Sequence, residues 1–232
     1  MINVVDVNST VVGKYEKIEI RFHIEKADYD NPYNPEEIDV RGVFVAPSGK
    51  EWNQYGFYDD YQNQNIWKVR FAANETGAWS YRLLAQASSG NTSTELFHFQ
   101  VSESDYHGWI KVSPDHPHYF MHDDGTSFYG VGPYYPWGVS NGSSGLGQLE
   151  EYGANFWGYW NIPYGGEIRI IESMQSGLGR YDQEKCGRID QLIEWSEERN
   201  LKMMFAIWPH ICCPIRSGRI NGITILIIAL HL

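Results

Sequence analysis

The sequence predicts a β-sandwich in its first hundred or so residues and a unit of alternating strands and helices after it. Between residues 17 and 24, Ile18, Ile20, Phe22 and Ile24 alternate with polar residues, as in a half-buried strand. Four similar strands are predicted at residues 40–45, 67–72, 79–84 and 97–101. Many short strands separated by turn-rich stretches, with no helical period, are typical of a sandwich of about a hundred residues.

The pattern changes after about residue 106. Residues 119–129 predict a hairpin, because Asp123-Asp124-Gly125 provides the positive φ that a tight turn needs. A short helix at residues 149–152, ended by Gly153, is expected before an apolar strand at residues 154–160.

A second helix and a further strand complete this unit. Asp182 is a suitable N-cap for the helix, and Asn200 suits its C-terminal end. Residues 202–208 are largely apolar and predict the strand. The inner face of the helix is expected to comprise Cys186, Ile189, Leu192 and Ile193. Alternating strands and helices with buried strands indicate a parallel α/β unit.

Charge and composition exclude several classes of partner. The net charge is −11, with 18 Lys and Arg against 29 Asp and Glu, so neither nucleic acid nor an anionic membrane is an expected partner. The apolar run at residues 223–230 is far shorter than the roughly 20 residues that cross a bilayer. Residues 1–7 lack the features of a signal peptide. The 9 Trp and 16 Tyr exceed what a core needs, so some rings are expected to face a ligand.

The C-terminal residues 211–232 differ from the rest of the chain. They contain no Asp or Glu, and residues 223–230 follow neither a helical nor an alternating pattern. We expect this tail to be anomalous, and a frameshift after His210 is one hypothesis for it, which resequencing the source DNA would test.

Six short segments occur in order between residues 10 and 101: Tyr15-Glu16-Lys17-Ile18-Glu19, Asn31-Pro32-Tyr33, Pro47-Ser48-Gly49-Lys50, Gly56-Phe57-Tyr58, Trp67-Lys68-Val69-Arg70-Phe71 and Glu75-Thr76-Gly77-Ala78-Trp79. Together they resemble the immunoglobulin-like domain of unassigned function that precedes many bacterial glycoside hydrolase barrels. The resemblance implies an immunoglobulin-like β-sandwich over residues 1–105.

Further segments lie between residues 106 and 210: Phe128-Tyr129-Gly130-Val131-Gly132 with Tyr135-Pro136-Trp137, Gly153-Ala154-Asn155-Phe156, Tyr181-Asp182-Gln183 before Ile189-Asp190, and Met204-Phe205-Ala206-Ile207-Trp208-Pro209-His210. These resemble the start of the (β/α)₈ TIM barrel of cellulase-like, mannanase-like and apiosidase-like glycosidases. The resemblance implies an incomplete barrel over residues 106–210, reaching about strand three.

In those families two glutamates at the ends of barrel strands four and seven hydrolyse the O-glycosidic bond. The resemblance therefore implies a fragment of a glycoside hydrolase acting on plant or microbial polysaccharide, with both catalytic carboxylates outside this chain. It also implies an extracellular or periplasmic location and no cofactor. The alternative is a non-catalytic β-sandwich module that binds carbohydrate or protein, through aromatic residues such as Trp52, Tyr55, Phe57, Tyr58 and Tyr61.

Barrel active sites form at the carboxyl ends of the strands. The residues expected there to bind a poly- or oligosaccharide are Tyr134, Tyr135, Trp137, Trp160, Asn161, Trp208 and His210. Aromatic rings offer sugars a flat apolar face, while Asn and His provide directed hydrogen bonds. The alternative for Trp157, Tyr159 or Trp160 is that the ring fills the barrel or contacts a helix.

Two other sets of residues are candidate sites. Glu167 and Glu172 lie in a strand-to-helix loop, but the resemblance gives neither of them a catalytic role. A catalytic carboxylate in glycoside hydrolysis also usually needs a second carboxylate as its partner. His116, His118 and His122 straddle the predicted hairpin, but the nearby Asp residues are not at ligand spacing. We therefore expect neither a catalytic residue nor a metal site in this chain.

Overall fold

The computed structural model describes residues 1–135, 142–160, 171–172, 176–177 and 179–206. In these residues the chain is mostly β, with strands in several sheets and two α-helices. The chain divides into a first compact unit, Met1–Gly108, and a second that begins at Trp109. No helix in the described ranges is both long enough and apolar enough to cross a membrane.

The first unit contains two sheets. One has four strands in the order β1-β3-β7-β6, and the other has the path β2-β10-β8-β4-β5 with β9 paired to β8. All neighbours are antiparallel except β2 and β10, which are parallel. The strands are β1 Ile2–Val7, β2 Val11–Gly13, β3 Lys17–Ile24, β4 Ile38–Val45, β5 Glu51–Tyr55, β6 Phe57–Asp59, β7 Ile66–Ala72, β8 Gly77–Ala87, β9 Gly90–Ser93 and β10 Phe97–Ser102.

The facing sides of these two sheets form one hydrophobic core, so the arrangement is sandwich-like. On β3, Ile18, Ile20 and Phe22 are fully buried, as their alternation predicts. The Phe44 ring of β4 stacks on the Phe71 ring of β7, with 4.1 Å between their centroids. This stack joins the two sheets through the centre of the core.

The second unit begins with a small antiparallel sheet of β11 Ile110–Val112, β12 Phe120–His122 and β13 Ser127–Phe128. It continues with a parallel sheet in the order β14-β15-β16, formed by Tyr134–Tyr135, Phe156–Trp160 and Lys202–Ala206. Helices α1, Ser143–Glu151, and α2, Gln183–Glu197, pack on one face of this sheet around a second core.

The local signals predicted some of these elements, including β4, β7, β8 and β10, but not the strands β1, β2, β5, β6, β9 and β11. Strand β3 has the predicted bounds, and the hairpin turns at Gly125, whose φ is 92°. Helix α2 follows Asp182, whose carboxylate accepts a hydrogen bond from the Lys185 backbone N–H, and Asn200 beyond its end has a φ of 53°. Helix α1 begins well before the predicted residue 149. The tail at residues 211–232 lies outside the described residues.

Candidate functional site

The candidate site is the carboxyl edge of the parallel sheet. Because β14, β15 and β16 run in the same direction, their carboxyl ends lie along one edge. Tyr135 is paired with Tyr159, and Trp160 with Ala206. The fold therefore brings the ends of three chain segments that are distant in sequence to one place.

The structure describes part of the predicted carbohydrate site. Tyr134 and Tyr135 form β14, and they are 37% and 39% exposed, respectively. Trp160 ends β15, next to β14 in the sheet. The predicted site residues Trp137, Asn161, Trp208 and His210 lie outside the described residues, as does the Trp160 side chain.

Tyr134 is held against β15 because its neighbour there is a glycine. A Cβ atom added to Gly158 would lie 2.0 Å from Cδ2 of the Tyr134 ring, so the ring occupies the space that any other side chain would take. Burial raises the pKa of Tyr134 to about 12. The phenol is therefore neutral at physiological pH and can both donate and accept a hydrogen bond.

The raised pKa of Tyr134 predicts a loss of stability in alkali. In the unfolded chain a tyrosine has a pKa of about 10, so between about pH 10 and 12 the unfolded state loses a proton that the folded state keeps. The contribution of Tyr134 to the free energy of unfolding is therefore fully present below pH 10 and is lost as the pH rises towards 12. We expect the urea midpoint, followed by circular dichroism at 222 nm, to fall less steeply over this range in Tyr134→Phe.

Tyr81 provides the internal comparison, because burial raises its pKa to about 12 as well, but it lies in the first unit. A Tyr81→Phe variant should leave the alkaline decline of the helical signal unchanged. An identical decline in the unmodified chain and in Tyr134→Phe would show that Tyr134 does not bind its proton more tightly in the folded state.

Asn155 fixes the segment that leads into β14, and the sequence reasoning did not assign it this role. Its Oδ1 accepts a 2.7 Å hydrogen bond from the Val131 N–H, and its Nδ2 donates a 2.9 Å bond to the Tyr129 carbonyl. Its backbone N–H donates to the Val131 carbonyl at 2.9 Å. The Asn155 amide therefore bonds both a backbone N–H and a backbone carbonyl of residues 129–131, as the backbone of a neighbouring strand would.

Gly132 allows the closest approach between these segments. A Cβ atom at this position would lie 1.6 Å from the Phe156 carbonyl oxygen, which is backbone and has little freedom to move. Only glycine fits the observed spacing. Together Gly132 and Asn155 set the position of the Tyr134–Tyr135 strand relative to β15.

Trp157 and Tyr159 face the helices and form core. They are 0% and 1% exposed, and the Tyr159 ring stacks on Phe205 of β16 at 5.7 Å. The Trp157 Nε1–H donates to Ser196 Oγ on α2 at 3.0 Å, and that hydroxyl donates to the Leu192 carbonyl at 2.7 Å. The alternative of a helix contact is correct for these two rings.

The described acidic residues do not form a catalytic pair at the strand ends, since Tyr134–Tyr135, Trp160 and Ala206 carry no carboxylate. Glu172 forms an isolated bridge with Tyr181, and its Oε1 accepts a hydrogen bond from the Gly179 N–H. That contact gives Glu172 a structural use in the approach to α2. Glu167 lies outside the described residues.

Two of the three hairpin histidines contact an aromatic ring. His122 is buried, with its ring edge-on to Phe128 at 5.4 Å, and His116 is edge-on to Tyr119 at 6.4 Å. Within the described ranges, no group of three or more His, Cys, Asp and Glu side chains is arranged to hold a metal ion.

In the first unit, the aromatic residues named for a binding module differ in exposure. Trp52 packs against Phe71 of the core, and Tyr58 packs against Trp67, with centroids 6.2 Å and 5.6 Å apart. Phe57 lies under the Arg70 guanidinium, 5.0 Å from its ring centroid. Of the five rings, Tyr55 is the exposed one, at 63%.

Comparisons with known proteins give one family match and several structural neighbours. Residues 11–86 match a family described as a domain of unknown function, DUF5060. This match covers the greater part of the first unit and none of the second. No curated protein sequence matches the chain.

Glycoside hydrolases are among the structural neighbours. A crystal structure of a provisionally named glycoside hydrolase from Bacteroides vulgatus ATCC 8482 aligns with a TM-score of 0.67 and 19% identity, over 85% of this chain and 41% of that one. A family 39 glycoside hydrolase from Bacteroides cellulosilyticus WH2 gives 0.28 and 11%, over 88% and 33%. Bacteroides uniformis β-glucuronidase 3 gives 0.28 and 10%, over 88% and 22%. The first of these shares the fold, whereas the other two scores are too low for a fold comparison.

Proposed function

We propose that this chain is the amino-terminal part of a polysaccharide-degrading glycoside hydrolase. In this proposal residues 1–105 form an immunoglobulin-like β-sandwich, residues 106–210 form the opening strands of a (β/α)₈ barrel, and residues 211–232 are an anomalous tail. The observation that carries it is the shared fold with the Bacteroides vulgatus protein over 85% of this chain. The chain spans 41% of that protein's length, so most of the proposed enzyme lies beyond it.

The second unit supports the barrel proposal through its order of elements. Three parallel strands are adjacent in chain order, and buried side chains from α1 and α2 cover one face, as in the first turns of a barrel. On the opposite face Phe156, Met204 and Ala206 are only partly buried. Further strands of a barrel would enclose that face, which would be its interior.

The proposed role of the described site is to bind the sugar rather than to cleave it. Tyr134 and Tyr135 are half exposed at the strand ends, with neighbouring Gly158 and Asn155 fixing their position. We propose that Trp137, Trp160, Asn161, Trp208 and His210 complete the contact surface. The two carboxylates that hydrolyse the O-glycosidic bond are expected on later barrel strands, which these three do not include.

This division of roles predicts binding without turnover. The 232-residue chain should release no reducing sugar from neutral or acidic polysaccharides, because its described strand ends carry no carboxylate. A colorimetric reducing-end assay on the purified chain measures this. Turnover that is retained through purification and disappears in Glu167→Gln or Glu172→Gln would contradict the proposal and assign the site to that glutamate.

Binding at the strand ends is tested separately, by titrating oligosaccharides into the chain and into Tyr135→Ala. Losing one aromatic contact should weaken binding about tenfold, equivalent to about 1.4 kcal/mol. Tyr152→Ala is the matched control, because Tyr152 is 87% exposed and follows α1, away from the carboxyl edge. Equal affinities for all three proteins would remove the strand-end site from the proposal.

A further inference from the structure

The outer face of the larger sheet in the first unit carries a row of exposed polar and aromatic side chains. The strand register places Tyr55 opposite Arg41, Arg41 opposite Leu84, and Leu84 opposite Ser93. The next row along the same face contains Asp39, Gln86 and Asn91. These positions alternate with the buried residues of the core, so the whole row points away from it.

This face contains a groove of about 490 Å³, lined by Asp39, Arg41, Asn53, Leu84, Gln86 and Asn91, among others. One wall is strand β9, which pairs with the end of β8 after the turn at Gly90. The volume lies within the range of about 300–1,000 Å³ typical of small-molecule sites. Its lining is mainly polar, with Leu84 and Ala85 as the apolar residues, whereas a protein-docking surface has an apolar centre.

Tyr55 lies beside this groove on the edge strand β5, outside the lining, and its ring contacts Arg41, which does line the groove. The guanidinium carbon of Arg41 lies 4.9 Å from the ring centroid, a cation–π contact. Arg41 is itself fixed by Asp39, through Nε–Oδ1 and Nη2–Oδ2 distances of 2.9 Å and 2.6 Å. Tyr55 remains 63% exposed, although the guanidinium lies over part of its ring.

The charges along the groove balance, and this selects the class of ligand. Asp39 pairs with Arg41 in a bidentate ion pair, so the guanidinium has no charge left over for an acidic ligand. The amides of Asn53, Gln86 and Asn91 offer both donors and acceptors, which match hydroxyl groups. A preformed aromatic ring beside neutral donors and acceptors fits a sugar, with its apolar ring face and its rim of hydroxyls.

We propose that this groove binds a neutral oligosaccharide, as a carbohydrate site in the first unit that is separate from the strand ends of the second. Gln86 and Asn91 hydrogen-bond to hydroxyls of the sugars in the groove, and Tyr55 contacts a sugar beyond Arg41, where the chain continues across the sheet. The proposal stands on the first unit alone and does not depend on the hydrolase assignment. It gives this unit a function of its own, to hold the protein on a neutral polysaccharide.

Affinity gel electrophoresis of the full chain tests the proposal. The gels contain xyloglucan, barley β-glucan, galactomannan or pullulan as neutral polymers, and polygalacturonate as the acidic one. At least one neutral polymer should retard the chain, and Tyr55→Ala should weaken this binding at least tenfold. Gln86→Ala should weaken it several-fold. Tyr152→Ala, which removes an exposed tyrosine from the second unit, should leave it unchanged.

The variants also separate this site from the strand-end site. Retardation that is unaffected by Tyr55→Ala, and is lost in Tyr135→Ala, would overturn the groove and place binding in the second unit. Retardation by polygalacturonate alone would overturn the neutral-ligand assignment. No retardation by any neutral polymer would overturn the proposal entirely. Because all of these side chains are at least partly exposed, a matching circular dichroism spectrum shows that each variant has folded.

Discussion

Replacing Trp157 with alanine is expected to lower the free energy of unfolding of the second unit by about 3–5 kcal/mol. Trp157 is fully buried in the middle strand of the parallel sheet, within the core that the two helices share with it. Its removal leaves a cavity and also deprives Ser196 Oγ of its donor. Urea unfolding followed at 222 nm measures the change, because both described helices belong to this unit.

Two milder variants separate the contributions of volume and hydrogen bonding. Trp157→Phe keeps most of the ring volume and should cost less than the alanine variant. Ser196→Ala removes the hydroxyl that accepts from Trp157 and donates to the Leu192 carbonyl, without changing the ring volume, and should cost about 1–2 kcal/mol. If Trp157→Ala left the 222 nm transition unchanged, helix α2 would not depend on packing against β15, and the shared core of sheet and helices would be wrong.

Removing the Asp59 carboxylate is expected to destabilise the first unit by about 3 kcal/mol. Lys68 and Asp59 are each only 7% exposed, and Lys68 Nζ lies 2.5 Å from Asp59 Oδ2. Lys68 has two ion contacts, with Asp59 and with Glu19. Asp59→Ala would leave its buried ammonium only the weaker of these, with Glu19 Oε1 at 4.0 Å. Urea unfolding followed by tryptophan fluorescence reports the loss, with the 222 nm signal of the two described helices of the second unit as the reference that should not change.

The double variant Asp59→Leu with Lys68→Met provides the critical comparison. Replacing both charges with apolar groups of similar size should restore most of the stability, because no unpaired charge is then buried. Asp39→Ala breaks the partly exposed pair with Arg41 and should cost less than about 1 kcal/mol. A loss in Asp59→Ala no larger than that in Asp39→Ala would mean that water reaches Lys68 freely.

The strands and helices with clear local patterns could be predicted from the sequence. Alternation defined β3, and the capping chemistry of Asp182 and Asn200 defined both ends of α2. The edge strand β5 lacked such a signal, because the polar Gln54 shares the half-buried side with Trp52 while the aromatic Tyr55 is on the exposed side. Short edge strands of this kind are specified by pairing with a neighbour that is distant in sequence.

The candidate sites were predictable to different extents. The sequence predicts Tyr134 and Tyr135 just beyond a strand, whereas in the structure they form the short strand β14 beside β15, and their contact with sugar stays a prediction. The groove beside Tyr55 was not predictable, because its lining comes from four strands whose register no local pattern contains. In the sequence, Asp39 and Gln86 are ordinary polar residues, and only the sheet brings them together.

The amide of Asn155 also has a consequence for the chemical durability of this protein. Its donor faces the Tyr129 carbonyl, and its acceptor faces the Val131 N–H. Deamidation to aspartate would replace that donor with a second acceptor, so that two oxygens would oppose each other across the contact. Hydrolysis of a single side chain during ageing would therefore loosen the segment before β14, without any change in the sequence that the gene encodes.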